Sequence, residues 1–401
     1  MTGGARHPAI GAAAVVAAGL ALAGCAAAPG GSGDVVAERF ARMPAQDDVV
    51  AAGDWYRPTV TVRGAARPWP GAGRGGPAAA PDGRFAAALA LARRYETLAL
   101  VVVQDGRIVL EDYAPGIAPE FRFDTQSMHR GLLALVVGAA LADGAIDSLD
   151  ARAARWLPEW QGAGDPRGEI TIRHLLYGQS GLVDPPYANS ADSPAMQMFI
   201  GTDLRALALG LQPQSRPGER QRGATAEAQV LGLVLERATR SRYADYLSRR
   251  LWRPIGAADA AVRLDRPGGN TRTFCCIQAS ARDWARVGQL VLERGRAGGR
   301  ELLPPAWITQ LATPSPLDPK VGAYWWVEPV PLVPSNVDRA RMPPQPTPFA
   351  SPGTTYTGGR GGQRVFVLPA QRAVVVRIGK IRYDFDDGLF ANTFAAALQA
   401  R

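Results

Sequence analysis

Apolar positions change their spacing along the chain, and each spacing predicts a different element. Between Thr97 and Leu110 two apolar runs flank Gln104-Asp105-Gly106-Arg107. Asp-Gly between strand-like runs predicts a hairpin. From Leu132 to Ala142 the chain is apolar without a charge and ends at Asp143-Gly144. That predicts a helix buried on most sides, with Gly144 as a left-handed C-cap. From about 150 to 300 the pattern is mostly helical, with helices over Ile170–Leu176, Ala226–Thr239, Tyr243–Leu251 and Ser280–Leu292. Strand patterning returns at Gln363–Leu368 and Ala373–Ile378 around Pro369-Ala370-Gln371-Arg372, and an apolar helix from about Asp387 to Gln399 follows. Strands early and late with helices between them predict an α+β fold. Its simplest assembly is an antiparallel sheet from both chain ends with a helical region inserted, and a site where they meet. Long loops fall at 183–200 and 328–355.

The N-terminus has its own pattern. Arg6 and His7 precede an apolar stretch, Ala9–Ala23, which is short for a membrane span and shaped like a signal-peptide core. Leu22-Ala23-Gly24-Cys25 resembles a bacterial lipoprotein box, with Cys25 as the lipidated residue. Residues 1–25 are therefore expected to be a lipoprotein signal peptide. Residues 26–84 are expected to be a tether and an extension that wraps the surface through Trp55, Tyr56 and Trp69. Residues 85–401 form the main domain. The expected location is the periplasmic side of the cell envelope, held by the lipid alone. Ala26 after the Cys favours, by resemblance, outer-membrane sorting.

Charge narrows the function classes. The net charge is +9, yet Lys occurs only at Lys320 and Lys380. The Arg residues are dispersed, with no basic run, which argues against nucleic acid as a partner. Cys275 and Cys276 are neighbours, a spacing at which disulfides are rare, so they read as two buried small apolar residues. Three His, one of them inside the signal, give no metal site, and no cofactor is expected.

The chemistry centres on Gln126-Ser127-Met128-His129-Arg130 at the start of the buried helix. Helix N-termini favour negative charge, so an alkoxide or oxyanion would be stabilised at Ser127. Arg130, three residues on, shares a helix face with Ser127. A nucleophile with a partner at that spacing is the S-x-x-K arrangement of penicillin-recognising serine enzymes, with Arg in place of Lys.

Further segments extend this likeness in order: Gly144 to Asp150, Trp156-Leu157-Pro158-Glu159, Ile170 to Leu182, Pro217-Gly218-Glu219, Gln229 to Gly232, Trp252 to Gly256, Asp283 to Gly288 and Gly361-Gly362-Gln363-Arg364. Over roughly residues 95–400 the chain resembles the β-lactamase-related serine hydrolases: class C β-lactamases, DD-peptidases, esterases and 6-aminohexanoate-oligomer hydrolases, nearest in flavour to the last. The resemblance implies a β-lactamase/transpeptidase-like fold and a small amide, ester or peptide substrate. It implies Ser127 as nucleophile and the backbone N–H groups of Ser127 and Gln363 as oxyanion donors. It also implies substrate binding at Arg360, Gly361 and Gly362. Three positions depart from the family pattern. The Lys is Arg130, the Tyr falls on Gly223, and the last-motif Lys or His falls on Arg360.

Arg has no lone pair to offer near neutral pH, so Arg130 cannot be a general base. It can lower the Ser127 pKa by its charge or bind a substrate carboxylate. Substitute bases are Tyr187, in the loop that supplies a Tyr in the aminohexanoate branch, then His129 and His174, with Glu227 and Asp184 more remote. Two readings stay open: a serine hydrolase working through an acyl-Ser127 intermediate, and a degenerate member that binds a peptide or cell-wall ligand without turnover.

Overall fold

The computed structural model describes residues 1, 32–45, 48–71, 83–184, 187–221, 225–331 and 346–398. The signal, Cys25 and Gly223 lie outside the described residues. Chain order begins with α1 (Ser32–Ala41), β1 (Thr59–Val62), α2 (Ala86–Arg94), β2 (Thr97–Gln104), β3 (Arg107–Tyr113), β4 (Phe123–Asp124) and α3 (His129–Ala142). The middle carries α4 (Ile172–Leu176), α5 (Pro194–Ile200), α6 (Leu204–Gly210), α7 (Thr225–Thr239), α8 (Tyr243–Leu247), β5 (Ala260–Arg263) and β6 (Ile277–Ala279). The remainder is α9 (Ala281–Leu292), a two-residue ribbon β7 (Arg296–Ala297) and β8 (Arg300–Glu301), α10 (Pro305–Leu311), β9 (Thr355–Gly359), β10 (Gln363–Leu368), β11 (Ala373–Gly379) and α11 (Asp387–Leu398).

The main sheet is antiparallel, in the order β3-β2-β11-β10-β9, and so joins both chain ends as the pattern predicts. Its inner strands β2, β11 and β10 carry long apolar runs because both faces are covered. Leu100, Val102, Phe366, Leu368 and Val375 meet α2 and α11 on one face. Val101, Val103, Val365, Val367, Val374 and Val376 join the larger core on the other, beneath α9. The β2–β3 turn is the predicted one, with Asp105 and Gly106 both at positive φ. The buried helix α3 closes as expected, with Gly144 at φ +71°. The helix expected at Ser280 starts with Ser280 as N-cap, bonded reciprocally to Asp283. It lies on the main sheet, where Gly288 lets it approach Val374 and Val365 closely. No helix among the described residues is long and apolar enough to cross a membrane.

Three expectations need correction. The expected 183–200 loop gives way at its end to a helix, α5, while β9, the strand that follows the 328–355 stretch, lies at the sheet edge beside α3. The N-terminal extension does more than wrap the surface. Its strand β1 pairs with β5 in a second sheet, β1-β5-β6-β4, and Val50, Trp55, Tyr56 and Val62 are buried. Arg39 is buried as well, and its guanidinium donates to the carbonyls of Arg57, Ile200, Gly201 and Asp265. Cys275 and Cys276 are buried as expected but are joined in a disulfide. Cys276 has φ +72°, a left-handed conformation in which the two adjacent side chains meet.

Candidate functional site

Strand β4 delivers the chain to Ser127. Asp124 is held by its N–H to Val50 O at 2.9 Å, and its carboxylate is ion-paired with buried Arg263. Asp124 Oδ1 accepts from Gln126 N–H at 3.1 Å and from Gln126 Nε2 at 2.9 Å. These two bonds hold Gln126 at φ +53°, a conformation non-glycine residues rarely adopt and one that clusters at functional sites. Ser127 lies in the following 3-10 turn, Gln126–Met128, and α3 proper begins at His129. The serine therefore stands just before the helix instead of within its first turn. It is half-buried, and neither its hydroxyl nor its N–H makes a hydrogen bond among the described residues.

The end of β9 passes this turn closely. A Cβ on Gly359 would lie 2.4 Å from Thr125 O and 3.0 Å from Met128 N, so only glycine fits there. One turn along α3, Gly131 plays the same part against Thr357. Gln363 is on the next strand, paired with Gly359, and its side chain is spent on Gly379, to whose N–H and C=O it bonds at 3.0 and 2.8 Å. Gly361 and Gly362 have φ of +71° and +88°, so the hairpin turn itself requires glycine. Arg360 is exposed at that turn and donates to the Tyr383 hydroxyl.

Arg130 is half-buried and points across to the helical region. Its Nε donates to Phe274 O at 3.2 Å and its Nη2 to Thr225 Oγ1 at 3.4 Å. Thr225 begins α7, whose N-terminus is capped by Asp184 through the Thr225 and Ala226 N–H groups at 2.6 and 3.2 Å. Glu227, fully buried on α7, accepts from Ser180 Oγ at 2.6 Å. Tyr324 is buried among these groups and donates to Leu175 O at 3.0 Å. Burial, then the Glu227 charge, push its phenol well above the usual range, and Arg130 opposes them. Its proton is therefore fixed. Thr225 and Tyr324 escaped the sequence reading because the partner contacts come from distant loops. The one local sign was the aromatic cluster Tyr324-Trp325-Trp326.

None of the candidate bases Tyr187, His129 and His174 hydrogen-bonds to Ser127 among the described residues. Tyr187 lies three residues beyond Asp184 on an exposed loop, is 48% exposed, and makes no hydrogen bond among the described residues. His174 is engaged at the start of its own helix. Its Nδ1 accepts from Thr171 N–H, and its own N–H returns to Thr171 Oγ1, capping α4. His129 is fully buried, with Nδ1 2.8 Å from Cys275 O and Nε2 2.9 Å from Tyr243 Oη. Desolvation holds it down to about 4, so it is neutral at pH 7. No cluster of three metal-ligating side chains occurs among the described residues.

His129 gives a pH signature. Its folded pKa lies below its unfolded value, so the unfolded chain binds the extra proton. The stability it confers is complete above about pH 6.5 and is lost as pH falls toward about 4, by about 3 kcal/mol. Urea midpoints at pH 7 and 4.5 should differ more in the wild-type chain than in His129→Gln. Equal differences would show that His129 does not titrate in this way.

Comparisons with known proteins agree with this architecture. The sequence model of the family described as Beta-lactamase matches residues 79–400. A 6-aminohexanoate-dimer hydrolase from Paenarthrobacter ureafaciens is 29% identical over 227 residues, which are 53% of this chain and 56% of the relative, little more than half its length. A Bacillus anthracis structure, provisionally named a 6-aminohexanoate-dimer hydrolase, superposes with a TM-score of 0.65 at 18% identity, covering 87% of this chain and 91% of that one. A class C β-lactamase from Rhodobacter sphaeroides gives a TM-score of 0.56 at 17% identity, covering 79% of this chain and 98% of the other. At these identities the structures show a common fold.

Proposed function

Within the β-lactamase family, to which this chain belongs, we propose a serine hydrolase that forms an acyl-Ser127 intermediate with small esters and turns it over slowly. The observation that carries this reading is the Gln126 turn, which presents the Ser127 hydroxyl and N–H, both without a hydrogen bond among the described residues, beside the glycine end of β9. The Ser127 N–H is one oxyanion donor. The second, expected at Gln363, we place at the end of β9, the backbone that abuts the turn. Arg130 lies one helical turn from Ser127. Its charge favours the alkoxide, and it offers a fork for a substrate carboxylate.

The relative named for 6-aminohexanoate dimer takes an amide. An amide leaves as an amine only if it is protonated, and no acid contacts Ser127 among the described residues. An ester's alkoxide leaves more readily, so esters suit this site better. The same lack of a base favours the second reading, binding of a peptide or cell-wall fragment without turnover. We also propose export and lipid anchoring at Cys25. The Cys275–Cys276 disulfide fits an oxidising compartment.

Intact-mass spectrometry after exposure to a fluorophosphonate, and separately to a penicillin, separates the two readings. An adduct mapped to Ser127 and lost in Ser127→Ala is the expected result. A folded chain that takes neither reagent would favour binding alone.

A further inference from the structure

The segment carrying the disulfide is the template on which the nucleophile's turn is laid. Phe274 O accepts from Arg130 Nε at 3.2 Å. Cys275 O bonds His129 Nδ1 at 2.8 Å. Cys276 N–H donates to Gln126 O at 3.2 Å. Ile277 O accepts from the Thr125 hydroxyl at 3.1 Å. Four consecutive residues, Phe274 to Ile277, thus hold Thr125, Gln126, His129 and Arg130 through their backbone groups, while the Ser127 hydroxyl makes no hydrogen bond among the described residues. Cys276 has φ +72°, which an L side chain rarely adopts unaided. The ring closed by two adjacent cysteines restricts that same peptide. Both residues are buried, 1% and 2% exposed, so the ring is part of the site's foundation and not a surface thiol pair.

We propose that the Cys275–Cys276 disulfide is a positioning element for Ser127, holding residues 274–276 in the conformation that fixes Gln126, His129 and Arg130. Opening it loosens the turn and makes the nucleophile's reactivity depend on oxidation state. Its catalytic half rests on the reading of Ser127 as nucleophile, and its geometric half does not. Opening is a two-electron reduction. The S–S bond breaks, each sulfur gains a proton, and a dithiol such as dithiothreitol supplies both electrons and both protons, leaving as its cyclic disulfide.

The test uses the full chain and two variants, Cys275→Ser/Cys276→Ser and Cys275→Ser/Cys276→Gly. Hydrogen exchange is followed in peptides spanning 124–131 and, as a control, 363–379, together with the rate of fluorophosphonate labelling at Ser127. The serine pair should exchange faster at 124–131 and normally at 363–379, with labelling slowed about 10- to 100-fold. Glycine reaches positive φ without a ring, so the glycine variant should recover most of the labelling, which a purely stabilising cross-link would not allow. Should the serine pair not fold, dithiothreitol reduction of the folded wild type, reversed by the oxidant diamide, gives the same comparison. Unchanged exchange at 124–131, a glycine variant no better than the serine pair, or alkylation of Cys275 and Cys276 without reduction would each overturn the proposal. An exchange change in a wild-type chain that takes no fluorophosphonate would leave the positioning role standing and remove Ser127 as nucleophile.

Discussion

Replacing Asp124 with alanine is expected to lower folding stability by about 3–5 kcal/mol, read from urea denaturation of the two chains. The side chains of Asp124 and Arg263 are 2% and 3% exposed, so the pair is wholly withdrawn from water. Without the carboxylate, Arg263 keeps its buried charge and, among the described residues, is left against the faces of Trp55 and Tyr56, at 4.4 and 4.8 Å. Such contacts are worth about 0.5–2 kcal/mol, less than the loss of a buried counter-charge. Replacing both partners, as in Asp124→Leu/Arg263→Met, should cost less than Asp124→Ala, because no unpaired charge remains. A single-variant loss below about 1 kcal/mol would mean that Arg263 finds water or another anion. Asp124 also holds Gln126 at its positive φ, so labelling of Ser127 should fall even where the variant remains folded.

Arg130→Lys is expected to raise the rate of Ser127 acylation by an activated ester by about 10²–10⁴-fold. A guanidinium cannot accept a proton near neutral pH, whereas a lysine amine can when burial and neighbouring cations lower its pKa. The position suits this role, since it lies one turn from the serine and already faces Thr225 and Phe274. Burst kinetics with a nitrophenyl ester would measure it, and the gain should grow with pH as the amine deprotonates. An unchanged rate would place the proton acceptor elsewhere and leave Arg130 as a charge or a carboxylate anchor.

Elements whose signals are local were legible in the sequence. Asp105-Gly106 specifies its turn alone, Ser280 and Asp283 cap their helix within four residues, and Gly144 closes α3. Strand β9 was not legible, because Thr-Tyr-Thr is a short strand signal and the Gly-Gly that completes it reads as a breaker. Its glycine at 359 answers to Thr125 and Met128, far away in the chain. The second sheet was hidden because its strands are two to four residues long. At the site, Ser127 could be read from its place before an apolar run. The partners of Arg130 could not, since Thr225 and Phe274 come from 95 and 144 residues away. The vicinal disulfide ran against a sound geometric expectation, which holds for most sequence neighbours and yields where the second cysteine turns left-handed.

Arg39, Val50, Tyr56 and β1 all precede residue 79, where the family likeness begins. Yet Val50 anchors Asp124, Tyr56 lies under Arg263 and Arg272, and β1 covers the edge of β5. The stretch shared by descent and the stretch that folds as one cooperative body therefore have different first residues. A chain trimmed to the shared part would keep every residue of the ancestral pattern, but would leave two buried arginines facing water where an aromatic brace had been, with the nucleophile's strand untied at one end.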